Sequence, residues 1–248
     1  LSSGCNEFGE VNFELPVYDH SKPMPVSRLW DKYRELRPVI VDGLLRRGEV
    51  CNIIASPKIG KSFLAGGLAW SVATGQPWLG FDTVLGNVLI IDNELHRETL
   101  SNRLWRIANA MEIDTTDDVD AIDVMSLRGQ SAPIHSLEQH FGDDYDRYSL
   151  IVLDALYRTL PEGTSENDNA GMMAVYNWLD RYAAKLHAAI VVVHHSSKGD
   201  QSDKSIMDVG SGAGSISRAA DSPSFHWAVI ANLFFEAVSL CFECPISP

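Results

Sequence analysis

Positive charge is scarce in this chain: 20 lysines and arginines stand against 33 aspartates and glutamates, a formal net charge of −13 over 248 residues. Such a balance argues against a surface coated for nucleic acid, although a local basic loop remains compatible with it. Cysteine is also scarce. Cys5, Cys51, Cys241 and Cys244 make no disulfide framework, because Cys51 falls inside an apolar run, so a reducing, cytoplasmic setting is expected. No apolar run of about eighteen residues is present and no signal peptide opens the chain, which predicts no membrane span. The chain opens on Leu1 and not on Met, so a missing N-terminal piece is expected.

Charge is thinnest between Ser222 and Pro248, where Glu236 and Glu243 are the charged residues and lysine and arginine are absent. Trp227 to Phe242 is nearly unbroken apolar sequence, short for a membrane span and interrupted by Glu236. It reads as a buried helix or strand pair, an oligomer contact, or sequence that has drifted or shifted frame. Cys241 and Cys244 have zinc-ligand spacing, but no second ligand pair lies near them, so a metal site is not expected there.

What is present is a globular composition, with 45% hydrophobic and 21% charged residues. The length suffices for one large α/β domain with a sheet covered on both faces. Its most informative stretch is Ala55-Ser56-Pro57-Lys58-Ile59-Gly60-Lys61-Ser62. The apolar run Val50 to Ile54 precedes it, and a segment of helical spacing from Phe63 follows. That strand, loop and helix order is the context a phosphate-binding loop requires. Backbone N–H groups of residues 55–63 and a helix N-terminus would converge on a phosphate chain. Lys61 would reach the terminal phosphates, and the Ser62 hydroxyl would ligate Mg²⁺. Ala55 replaces the usual first glycine, which is tolerable where the backbone keeps φ negative. A plain Gly-Lys-Ser turn opening an ordinary helix is the bland alternative.

Residues 1–36 read as a tail or linker with a short helix, capped by Ser27, running through Leu36 and ended by Pro38. Residues 37–221 read as the main domain, and 222–248 as the atypical apolar segment. Buried strands are expected at Val88–Asp92, Ser149–Asp154 and Ala188–His195, with a weak one around Ile122–Leu127. Helices are expected from the phosphate loop to about Thr74-Gly75, from Arg97 to Met111, and from Met172 to His187. The last should carry Met173, Tyr176, Leu179 and Tyr182 near one face. Alternating strands and helices predict a mostly parallel sheet with helices on both faces, whose chemistry gathers beyond the carboxyl ends of the strands.

Four features fall at those ends. Besides the 55–62 loop, Asp154 fits the acidic residue that holds Mg²⁺ across from it. It is followed by Ala155, so no glutamate stands directly after it to act as base. Glu94, two residues past a strand, is the candidate base for a water aimed at the γ-phosphate. A helix-capping first-turn glutamate is the alternative reading, and Asp92 is the weaker candidate base. His194 and His195 close another strand, and one of them, His195 for preference, would sense the γ-phosphate. Adjacent strand residues point to opposite faces, so the pair is poorly suited to one metal ion. Beyond lies the Gly/Ser-rich stretch from Ser196 to Ser215, with Lys198, Lys204 and Arg218. Arg218 or Lys204 would act in trans on a neighbouring subunit's nucleotide.

Together, Val-Asp-Gly-Leu-Leu, Ala-Ser-Pro-Lys-Ile-Gly-Lys-Ser, Ile-Asp-Asn-Glu, Leu-Ile-Val-Leu-Asp, His-His-Ser-Ser-Lys-Gly and Gly-Ser-Gly-Ala-Gly-Ser-Ile-Ser-Arg-Ala-Ala-Asp resemble the RecA-like P-loop ATPases. The likeness spans Val39 to Asp221 and is to the RepA-type hexameric helicase branch, an AAA-type ATPase domain. The resemblance implies hydrolysis of ATP with Mg²⁺ at subunit interfaces of a ring or filament, supports Glu94 as base, and sets residues 197–217 near a central channel. Single-stranded DNA is the implied partner, in replication or mobile-element maintenance. The rivals are a nucleotide-switched interaction protein, a small-molecule phosphotransferase drawing on Arg158 and Arg218, and a degenerate binder without hydrolysis.

Overall fold

The computed structural model describes residues 22–55, 58–115, 119–130, 132–141, 146–165, 168–195 and 225–226. The chain divides into two compact units, Leu1–Leu36 and Arg37–Pro248. The first contains helix α1 (Val26–Lys32), which follows Pro25 at its N-cap. Proline lacks an N–H and holds φ near its helical value, so the helix starts directly after it. Ser27 is therefore inside the helix and not its cap, and the helix stops at Lys32, short of Leu36.

The second unit is built on a parallel sheet. Its strands in chain order are β3 (Val50–Ala55), β4 (Val88–Asp92), β5 (Ile122–Ser126), β6 (Leu150–Asp154), β7 (Ala189–His195) and the short β8 (Phe225–His226). Across the sheet the order is β5-β4-β6-β7-β3-β8, and every neighbouring pair is parallel. A small antiparallel pair, β1 (Val39–Val41) with β2 (Leu45–Arg46), precedes β3. The sheet's chain-adjacent strands β3 and β4 are thus separated by β6 and β7, and strand ends distant in sequence are brought side by side.

Every residue of β4 and of β6 is buried, because helices cover both faces. Leu150 and Val152 turn toward helix α2 (Lys61–Thr74), packing with Leu64, Leu68 and Val72. Ile151 and Leu153 turn the other way, toward helix α5 (Asn169–Leu186), packing with Val175, Tyr176 and Leu179. This is the strand period of two applied to a sheet with no wet face. Helix α3 (Arg97–Ala110) lies outside α2, with Trp70, Ile107 and Ala108 between them and the Trp70 indole donating to the Leu104 carbonyl at 3.1 Å.

Helix α2 ends at Gly75, whose φ of +69° a residue with a Cβ adopts poorly. Helix α5 starts three residues before the expected Met172, because the Asp168 carboxylate accepts from the Ala170 amide at 3.1 Å and caps it. Its buried methionine is Met172. Met173, expected on the core face, is exposed, since one residue is a rotation of about 100° on a helix. Helix α4 (Glu138–Phe141) completes the described α-helices. The segment Trp227–Phe242 and the cysteines at 5, 241 and 244 lie outside the described residues.

Candidate active site

The phosphate-loop sequence leaves the sheet at Ala55, the last residue of β3, paired with His195 of β7. Strand backbone has negative φ, so alanine meets no strain where a glycine was the usual choice. Ser56 and Pro57 lie outside the described residues. The chain then turns through Lys58, with φ +66°, and Gly60, with φ +94°. Gly60 is the N-cap of α2, and its carbonyl accepts from the Phe63 and Leu64 amides. The amides of Lys61 and Ser62 precede those bonds and belong to the helix end that favours an anion. Ile59 packs against the α2-side core.

Lys61 opens α2 and is only 5% exposed. Burial lowers its pKa, and the Asp154 and Glu94 carboxylates oppose that shift. On the next residue, the Ser62 hydroxyl donates to the Asp154 carboxylate. Asp154 is buried at the end of β6, and its carboxyl is pushed up to about 6. Burial is the main cause. The Ser62 bond works against it, Asp92 and Glu94 add to it, and Arg103 of α3 also works against it. Three carboxylates thus crowd around one buried lysine and one serine hydroxyl, an arrangement short of positive charge. Ser62, Asp92, Arg103 and Asp154 line a narrow cleft between α2, α3 and the ends of β4 and β6.

The turn after β4 is held by its own side chains. Asp92, 1% exposed, accepts from the Glu94 amide at 2.9 Å and the Leu95 amide at 2.7 Å. Both bonds are to one carboxylate oxygen, so Asp92 shapes the turn. Asn93 ties that turn to β6: its amide donates to the Ala155 carbonyl at 3.0 Å and accepts from the Ala155 N–H at 2.9 Å. The Asn93 N–H also donates to the Asp154 carbonyl at 2.9 Å. Glu94 is consequently presented beside Lys61 and Asp154. It precedes His96, the N-cap of α3, and the acidic residue in the first turn of that helix is Glu98. The helix-capping reading of Glu94 is therefore set aside by position.

His194 is buried on β7 and His195 ends that strand beside the loop, its side chain outside the described residues. Arg218, Lys198 and Lys204 also lie outside them. Phe63 packs under the Arg103 guanidinium, 5.1 Å from ring centroid to carbon. Among the described residues no cluster of three or more His, Cys, Asp and Glu side chains is set to hold a metal ion. Ser62 and Asp154 alone would offer hard oxygen donors from the protein.

Residues 19–201 match the family described as AAA domain, AAA_25. The chain belongs to that family. The strand order of this AAA domain, with β7 inserted between the loop strand and the Asp154 strand, is that of a RecA-like P-loop ATPase, as the sequence resemblance implied. Among solved structures it is similar to the ATPase domain of a helicase, at 13% identity and a TM-score of 0.51, covering 71% of this chain and 68% of that one. As many as 545 solved chains match, so the likeness speaks to fold and not to substrate. No curated protein matches the sequence. Among the described residues, no helix of the AAA domain is long and apolar enough to cross a membrane.

Sequence reasoning missed Arg103, Asn93 and Tyr157. Arg103 is one of several arginines on an amphipathic helix and carries no local signal. Asn93 sits in the quoted Ile-Asp-Asn-Glu motif, yet its partner is 62 residues away.

Proposed function

We propose that this chain binds ATP with Mg²⁺ at the 55–63 loop, hydrolyses it with Glu94 as base, and couples turnover to single-stranded DNA as a ring-forming motor of the RepA-type helicase branch. One observation carries the catalytic part. The Ser62 hydroxyl and the Asp154 carboxylate meet in a hydrogen bond, beside a buried Lys61 that faces both Asp154 and Glu94. Ser62 and Asp154 would hold the cation, a hard oxygen pair suited to Mg²⁺, which takes its remaining ligands from phosphate and water. When bound, the ion supplies charge neutralisation across the phosphates. Lys61 would spread the γ-phosphate charge as the bond to the bridging oxygen breaks. Glu94 accepts the proton of the attacking water, and ADP and phosphate are the products.

His195, at the end of the strand between the loop and Asp154, is placed to sense the γ-phosphate, and Arg218 is the proposed cation acting in trans between subunits. The test is ATP turnover by the wild type and Glu94→Gln, with and without single-stranded DNA, at low and moderate salt. DNA-stimulated turnover that falls about 100-fold or more in Glu94→Gln is expected. Turnover indifferent to DNA would instead favour a nucleotide-switched interaction protein. A wild type without turnover would overturn the enzymatic reading.

A further inference from the structure

We propose that Tyr157 is a positioning residue for Glu94, and that Arg158 holds Tyr157 in that role. The inference rests on the reading of Glu94 as the base.

The problem it solves is set by the site itself. Glu94 has three side-chain torsions and faces Lys61, whose ammonium feels its charge. Left to Coulomb attraction, the carboxylate would swing onto the lysine, engaging the cation that the phosphates need and leaving no acceptor for a proton from water. The backbone of Glu94 is already pinned at both ends. Its N–H donates to Asp92, and its carbonyl accepts from the Arg128 guanidinium. Neither bond restrains the carboxylate.

Tyr157 does. Its hydroxyl donates to the Glu94 carboxylate, and the Arg158 Nε donates to the same phenol oxygen at 3.0 Å. The result is a directed relay from guanidinium to hydroxyl to carboxylate, in which each donor strengthens the next. The Arg158 guanidinium also lies 5.4 Å from the Tyr157 ring centroid. The turn that carries both residues, Leu156–Thr159, is firmly seated. Leu156 is fully buried, and the Thr159 hydroxyl donates to the Leu156 carbonyl at 2.8 Å. It begins directly after Ala155, whose backbone is clasped by Asn93. Base and tether therefore stand on two strand ends that are already joined, so the relay adds direction without requiring new ordering of the backbone. Tyr157 is 37% exposed and Arg158 is exposed beside it, which leaves the relay's outer end at the surface.

The experiment compares wild type, Tyr157→Phe, Glu94→Gln, the double variant and Arg158→Lys, measuring kcat, KM for ATP, and Kd for an unhydrolysable ATP analogue. Tyr157→Phe keeps the ring and loses the donor. Its kcat should fall about 5- to 20-fold, with KM and Kd within about 2-fold of wild type. Added to Glu94→Gln it should cost nothing further, because the tether then has no base to aim; a merely structural loss would add to the first. Arg158→Lys, at an exposed position, keeps the charge without the Nε donor and should lower kcat by a smaller factor. Full turnover in Tyr157→Phe, weakened nucleotide binding at unchanged kcat, or an additive loss in the double variant would overturn the inference while leaving Glu94 as base. Wild-type turnover in Glu94→Gln would overturn the base assignment, and this inference with it.

Discussion

Helices α2 and α3 are both fourteen residues long, and each follows a strand end that carries candidate chemistry. They are buried very differently. Eleven residues of α2 are buried and three of α3. Helix α2 is enclosed by the sheet on one side and α3 on the other, so its N-terminus cannot drift relative to β3, β6 and β7. That is what a loop cradling a phosphate chain requires, since misplacement of about 1 Å can cost two orders of magnitude in rate. Helix α3 rests on α2 with a single narrow stripe, and from there reaches Arg103 over Phe63 toward Asp154. The same fold thus holds one helix as a fixed reference and the other as a surface arm.

Truncation at matched depths tests that contrast most strongly. Leu64→Ala in α2 should destabilise the chain by about 2–5 kcal/mol, while Trp105→Ala on the exposed face of α3 should cost under about 0.5 kcal/mol in a denaturant melt. Trp105 is 58% exposed despite its size. Similar losses at the two positions would erase the distinction.

The next effect concerns the floor of the cleft the two helices share. Folding raises the Asp154 carboxyl from 3.8 to about 6, so the folded chain holds this proton more tightly than the unfolded one. In protein free of nucleotide and metal, this group penalises folding progressively as pH rises from the unfolded value through the folded one. The whole penalty, up to about 3 kcal/mol, is present above about pH 6 and absent well below about pH 4. Asp154→Asn should therefore melt higher than wild type at about pH 7.5, with the two converging in acid. A variant that melts lower at neutral pH would show that the carboxylate is compensated.

The smallest effect sits on adjacent glycines of α2. A Cβ on Gly67 would find its nearest neighbour, the Trp78 indole nitrogen, at 3.9 Å, whereas on Gly66 it would meet the Ile107 side chain at 2.5 Å. Gly67→Ala should stabilise the chain by about 0.5–1 kcal/mol through helix propensity. Gly66→Ala should give no such gain, because Ile107 of α3 must first move. Equal gains would mean that α3 sits loosely even where it touches α2.

Much of this was legible before the structure. Runs such as Val88–Asp92 and Leu150–Asp154 announce themselves because strands buried on both faces need no polar alternation. Glycine at 60 and 75 marks both ends of α2 for the same reason that those φ values are positive. The RecA-like fold followed from motif order. Misreadings arose where a local rule met a stronger neighbour: Pro25 displaced Ser27 as the start of α1, and Asp168 moved the start of α5. What no pattern in the chain reveals is pairing across the sheet. Asn93 with Ala155, Tyr157 with Glu94 and Arg103 with Asp154 join residues whose adjacency exists only once β4 and β6 lie side by side.

The Asn93 clasp has a consequence for how such a chain can change. Both functional ends of one amide are spent on a single peptide unit 62 residues downstream. The carboxylate proposed to hold the ion and the one proposed to take the proton consequently share one rigid frame. Substitutions near either should be epistatic with substitutions near the other. Selection therefore acts on cation affinity and turnover as a single trait, inherited from two distant stretches of the gene.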